Sequence, residues 1–354
     1  MQSARNLTGR ILPMTRFCRS LMVLFTMWPL LAPADELTLR PDRPDVYVVV
    51  RGDTLWDISG RFLEKPWRWP ELWGANPQVA NPHLIYPGDR LRLVMTADGP
   101  RLVRDGAGAG PGALGPKVRA TPIDTAIPPI PLKHIRAYLE EAVVLHSNRA
   151  ADFAYVASAA DEHLAVGGGD RVYGRNTAAQ VGEALDIFRI GDVYRDPETG
   201  EQLGYNALYI GQANVQKIGD PATLGVTKAR REVLAGDVMI PAEEGLLQAA
   251  YMPRPAPAAA RGHIIGVIDG VSQIGQNSVV VLSRGKRDGL ELGHVLQVDQ
   301  VPPPIHDPVA RERVQPPSDP AGTVMVFRLF DRVSYALVMT ATGPMHLLDE
   351  VSPP

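Results

Sequence analysis

Between Tyr47 and Val94 a β-branched run, two helix-forming stretches and a closing apolar run follow one another with almost no spacing, and that density leaves few folds open. Val46 to Val50 is aromatic and β-branched, which reads as a buried strand rather than an amphipathic one. Gly52-Asp53 supplies a turn. Thr54, with Asp57 three residues on, has the form of a capping box, and Leu55, Ile58 and Phe62 then recur at helical spacing on one face. Pro66 ends that helix. A second, shorter helix begins at Trp69-Pro70, where proline's missing N–H costs least, and stops at Asn76-Pro77 because the residue before a proline avoids helical geometry. Asn81-Pro82 and Tyr86-Pro87-Gly88-Asp89 are turn formers, and Arg90 to Val94 alternates into a closing strand. The predicted module, residues 46–95, is strand–helix–helix–strand.

Residues 1–34 have the order of a secretory leader. Arg5, Arg10, Arg16 and Arg19 precede any acid, Leu21 to Leu31 is nearly continuous apolar sequence, and Ala32-Pro33-Ala34 offers small residues for cleavage. The apolar core falls short of the roughly 20 residues that span a bilayer, so a cleaved signal is the favoured reading and an uncleaved anchor the competing one. Cys18 is the chain's single cysteine and precedes the apolar run, so it is not the acylated cysteine of a lipoprotein signal. Cleavage removes four arginines and no acids from a chain of net charge −3, leaving −7. The mature chain then holds no thiol, is mildly acidic and is expected in the periplasm, without a stable membrane anchor. No acidic or basic run points to nucleic acid.

Behind an extended lead (35–45) and the module, composition shifts at 96–130 to Gly, Ala and Pro, as in GAGAGPGALGP and AIPPIPL, which reads as a linker. Gly106, Gly108 and Gly110 lack the flanking strand and helix of a dinucleotide site. From 131 to 245 short apolar runs alternate with turn signals every ~8–12 residues, the pattern of a barrel or sandwich. Examples are Tyr138–Val144, Phe153–Ala157, Ala184–Val193, Asn206–Val215 and Asp237–Ile240, with Asp196–Gly200 as a hairpin loop. A Pro/Ala linker at 246–261 leads to a second β-rich body, 262–354, which reads as a diverged copy of the first. In that alignment Leu292-Gly293-His294-Val295 is matched with Ile190-Gly191-Asp192-Val193, and the proline-rich stretch 302–320 is a surface loop. The fold class expected is therefore a small α+β module followed by two mainly-β bodies.

Four of the five tryptophans, Trp56, Trp67, Trp69 and Trp73, lie in the module. They read first as the core of a unit too small to be stable otherwise, with sugar-facing rings as the rival reading. The ordered set Tyr47-Val48-Val49, Gly52-Asp53-Thr54-Leu55, Asn76-Pro77, Ile85, Pro87-Gly88-Asp89 and Leu91 resembles a LysM domain, the bacterial peptidoglycan- and chitin-binding module. Its middle, KPWRWPELWGANPQVANPHLIYPGD, is longer than the usual pattern and resembles a variant of exported Gram-negative LysM proteins. The resemblance implies that N-acetylglucosamine units bind between the loop after the first strand and the loop before the last. That nominates Gly52, Asp53, Thr54 and Leu55 on one side and Asn76, Pro77, Leu84, Ile85 and Tyr86 on the other, largely through backbone groups. For Gly52, Pro87 and Gly88 turn geometry alone is an equal alternative.

Catalytic patterns are absent from the sequence. The histidines, His83, His134, His146, His163, His263, His294, His306 and His346, are scattered without H-x-H or H-E-x-x-H, and neither a G-x-S-x-G elbow nor an S-x-x-K/K-T-G set occurs. A glycosidase needs only two carboxylates, and Glu140-Glu141, Glu162 and Asp331 offer them, though nothing distinguishes these from a solvated face. The sequence thus predicts a non-catalytic, cofactor-free exported protein whose partners are peptidoglycan or chito-oligosaccharide and, through the β bodies, an envelope protein. A cell-wall hydrolase, or a regulator of one, is the alternative.

Overall fold

A computed structural model describes residues 37–354 apart from 74–84, 98, 106–126, 132, 134, 136–137, 140–142, 161–165, 243–250 and 269–273. The leader expected at 1–34 lies outside the described residues, as do Glu140-Glu141, Glu162, His83, His134 and His163.

The N-terminal module is built from β1 (Val46–Val48), α1 (Leu55–Phe62), a 3-10 turn at Pro66–Arg68, α2 (Trp69–Trp73), β2 (Arg90–Thr96) and β3 (Gly99–Arg104). β1 and β2 pair antiparallel with Tyr47 opposite Leu91, and β3 extends the sheet through a hairpin that sets Leu93 opposite Leu102. β3 falls inside the stretch expected to be linker. Its buried Leu102 and the ion pair from Arg104 to Asp89 (3.5 Å) tie it to the module, contacts with no local sequence signature. The first strand is also less buried than expected: Val48 and Val50 are 48% and 54% exposed while Val49 is buried, so the run alternates after all. The lead is fastened too, since Arg40 N–H donates to the Phe62 carbonyl and Glu64 N–H to that of Thr38.

The first β body comprises β4 (Val143–Leu145), β5 (Ala154–Ala159), β6 (Arg171–Arg175), β7 (Ala184–Arg195), β8 (Gln202–Lys217), β9 (Ala222–Ala229) and β10 (Val238–Pro241). Strands β7–β8–β9–β6–β5–β10 pair in a ring that closes on β7, a six-stranded barrel, with β4 added on β8. Closure removes the sheet edges that would otherwise invite pairing with other chains. Tyr138 and Leu139, expected in a strand, are helical instead; Ile135 and Leu139 are one helical turn apart and both are buried.

The second body has β11 (Arg254–Pro255), β12 (Gly262–Ile268), β13 (Val279–Leu282), β14 (His294–Gln300), β15 (Ile305–His306), β16 (Arg313–Val314), β17 (Asp319–Leu329), β18 (Ser334–Ala341) and β19 (Glu350–Ser352). Its ring, β14–β17–β18–β13–β12–β19, repeats the strand order of the first barrel. The expected linker at 246–261 includes β11, which lies parallel to β14. The proline-rich loop carries a small exposed hairpin, β15–β16.

Equivalent turns recur in the two barrels. Gly167 N–H donates to Asp170 in one and Gly275 N–H to Ser278 in the other. Leu234 N–H donates to Asp237 and His346 N–H to Asp349. At the entry to β7 and β14, Gly182 and Gly293 donate to the carbonyls of Val215 and Val326 with near-identical φ of 88° and 87°. The structural counterpart of Gly293 is therefore Gly182, not Gly191, which lies within β7 beside a break in its register with β8.

Packing explains why the second barrel's strands read as continuous apolar runs. Val280, Leu282, Val324, Val326, Ala336 and Val338 point inward, while Val279, Val281, Met325, Phe327, Tyr335 and Leu337 point outward and are equally buried. Both faces are covered, so alternation disappears from the sequence. The outward stripe belongs to one apolar cluster with the core of the N-terminal module and with Ile127, Ile130, Ile135 and Leu139.

Candidate functional site

The polar edge of the module is the N-terminus of α1, where four backbone N–H groups have no intrahelical acceptor. Each finds one elsewhere. Thr54 N–H donates to Asp57 Oδ2 (3.2 Å) and Asp57 N–H to Thr54 Oγ1 (3.1 Å), completing the expected capping box. Leu55 N–H donates to the Pro128 carbonyl (3.1 Å) and Trp56 N–H to the Pro129 carbonyl (3.2 Å). These two acceptors come from the segment 127–130, which the sequence placed in a linker.

Two turns of one design frame this edge. In the first, Val50 N–H donates to Asp53 Oδ2 and Asp53 N–H to the Val50 carbonyl. In the second, Tyr86 N–H donates to Asp89 Oδ2 and Asp89 N–H to the Tyr86 carbonyl. Gly52 and Gly88 hold φ of 99° and 93°, a region closed to most side chains, which is why glycine precedes aspartate in both. Asp53 also accepts from the Tyr47 hydroxyl at 2.9 Å; burial first, and that bond to a carboxylate second, push the phenol's pKa upward. Gly88 N–H donates to Val49 and Val49 N–H to Asp89, joining the second turn to the end of β1. Across the gap between the turns, Ile127 N–H donates to the Ile85 carbonyl at 3.0 Å.

The nominated residues separate accordingly. Gly52 is exposed, and Asp53 and Tyr86 are half-buried. Leu55 and Ile85 are buried in the core and present backbone groups, and Thr54, 2% exposed, has its hydroxyl committed to Asp57. Asn76, Pro77 and Leu84 lie outside the described residues. What sequence reasoning missed is Ile127–Ile130; the adjacent prolines were the available signal, since they favour an extended chain with carbonyls and no N–H groups.

Trp56, Trp67, Trp69 and Trp73 are all buried with Leu55, Ile58, Phe62 and Leu72. Beyond this edge, α1 faces the second barrel across a cleft of about 600 Å³ bordered by Arg61, Trp67, Gln297 and Thr340. Among the described residues no three His, Cys, Asp or Glu side chains converge as metal ligands would, and no helix is long and apolar enough to cross a membrane.

Residues 47–94 match the LysM domain model, so this part of the chain is a LysM domain. LysM domains bind peptidoglycan or chitin-like glycans. A Bacillus subtilis (strain 168) protein with the name Uncharacterized protein YqbP is 33% identical over 66 residues, covering 15% of this chain and 30% of that protein. The chain thus spans under a third of that relative's length.

Proposed function

We propose that this is an exported, non-catalytic protein that holds to the N-acetylglucosamine-containing glycan of peptidoglycan through its LysM domain, while the two barrels dock an envelope partner. The observation that carries the glycan reading is the pair of Gly-Asp turns framing the N-terminus of α1. They set donors (Leu55 and Trp56 N–H) and an acceptor (Ile85 C=O) on opposite sides of one gap, the complement of an acetamido group. Export is supported by the order of charge and hydropathy in residues 1–34. A binding role rather than hydrolysis is supported by the lack of catalytic motifs and of any cysteine after Cys18.

The shared strand order and turns of the two barrels support descent from one duplicated unit. A docking role for them is supported by the β15–β16 hairpin, which carries Ile305 and Val309 into solvent, Val309 at 91% exposure. The glycan reading is tested by co-sedimentation of the intact chain with purified peptidoglycan. Retention that chitohexaose competes away is expected; retention that saturating oligosaccharide leaves untouched would sink the reading.

A further inference from the structure

Resting on the glycan-binding reading, we infer that residues Ile127–Ile130 are a built-in competitor that occupies the LysM groove and must leave before glycan can enter. The groove's unpaired backbone groups are already satisfied by this segment: the Pro128 and Pro129 carbonyls accept from Leu55 and Trp56, and Ile127 N–H donates to Ile85. An N-acetyl group offers the same pair, one carbonyl acceptor and one N–H donor. The amide joining Ile127 to Pro128 has no N–H of its own, so the segment supplies the pair from neighbouring peptide units: N–H from Ile127 and C=O from Pro128.

Two features make the segment an effective occupant. Ile127 and Ile130 are buried in the same apolar cluster as Leu55, Trp56 and Ile85, so it is anchored by side chains as well as by hydrogen bonds. The two prolines favour the extended form in advance, which lowers the entropy lost on docking. Because it is covalently attached, it competes at an effective concentration on the order of millimolar. Glycan must therefore bind with apparent affinity reduced by the fraction of chains whose groove is open.

The same segment connects the groove to the second barrel. Beyond Ile130, Leu139 offers its carbonyl to Arg328, and Val143 offers its own to the Tyr335 hydroxyl at 3.4 Å. Ile135 and Leu139 pack in the cluster that includes Phe327 and Tyr335. Glycan binding would thus release the N-terminal end of a strap whose other end lies on the barrel's outward face.

The test titrates chitohexaose into the full chain and into an Ile127→Asp/Ile130→Asp variant, in which burying two carboxylates expels the segment. A tenfold or greater gain in affinity in the variant is expected. Equal affinity in both would overturn the competitor while leaving glycan binding intact; no binding by either would overturn both. Hydrogen exchange on the unaltered chain gives an independent reading. With saturating chitohexaose the Ile127 amide should exchange faster while Leu55 and Trp56 stay protected, and an Ile127 amide still protected with glycan bound would refute the competition.

Discussion

Arg284 of the second barrel places Nη1 2.6 Å from Asp196 Oδ2 in the β7–β8 hairpin of the first, and the two side chains are only 16% and 3% exposed. The other Asp196 oxygen accepts from the N–H groups of Glu198 and Thr199, so the carboxylate is fully engaged. Beside it Glu201 makes a two-pronged pair with Arg287 at 2.7 Å and lies 3.3 Å from Arg332. One hairpin thus carries the acids and one barrel the bases. Arg284→Ala leaves a buried carboxylate without its cation and should cost about 3 kcal/mol. Denaturant melts of the full chain check it, and an unchanged midpoint would mean that the pair contributes nothing in solution.

Acid should loosen the same junction. Burial by itself raises the pKa of Asp196, but the Thr199 N–H, Arg284 and the Glu198 N–H together hold it below its ordinary 3.8. Glu201 is lowered from 4.5 chiefly by its hydrogen bonds with Arg287. Both carboxyls hold a proton less tightly folded than unfolded, so their contribution is complete above the ordinary values and disappears as pH falls through the depressed ones. Melting temperature should therefore be flat from neutral pH to about 5 and fall below about 4. The Asp196→Asn/Glu201→Gln variant should show a shallower fall, and an unchanged pH profile would remove these groups from the account.

The turns were legible in the sequence and the long-range pairings were not. Thr54 with Asp57, and Gly52-Asp53 and Gly88-Asp89, are complete within four residues, so their hydrogen bonds follow from local chemistry. The docking of Pro128 and Pro129 on α1 depends on residues more than seventy positions away, and a proline pair in a glycine-rich stretch reads equally well as linker. The run Tyr138–Val144 ends in a strand as expected, with Val143 and Val144 in β4. A short apolar run does not declare its period, however, and at Tyr138 and Leu139 the helical spacing of Ile135 and Leu139 prevails. Residue identity pairs Gly191 with Gly293, whereas Gly182 shares its φ and its hydrogen bond, which only pairing partners reveal.

The buried tryptophans make a spectroscopic prediction. Four of the five tryptophans lie in the LysM core and the fifth is Trp28, so in a variant that begins at Asp35 intrinsic fluorescence reports that domain alone. Emission should be blue-shifted and weakly quenched by acrylamide, and should move red when the LysM domain unfolds. Trp69→Ala should cost about 3–5 kcal/mol, since the ring is fully enclosed and its truncation leaves a cavity in the core. Strong acrylamide quenching of that folded variant would contradict the burial.

The matched glycines at the two barrel entries provide a paired test in which one site controls for the other. Gly182 and Gly293 hold the same positive φ, so alanine should meet the same backbone strain at both, about 1 kcal/mol. Their surroundings differ. A Cβ on Gly182 meets nothing within 4 Å, whereas one on Gly293 would lie 2.3 Å from the Met252 carbonyl oxygen, because the chain leading into β11 crosses that turn. Main chain cannot yield as a flexible side chain does, so Gly293→Ala must displace β11 from its parallel pairing with β14. Gly182→Ala is therefore expected to cost about 1 kcal/mol and Gly293→Ala about 3, adding overpacking to the strain. Equal losses in chemical melts of the two variants would mean that β11 is not held against the barrel in solution.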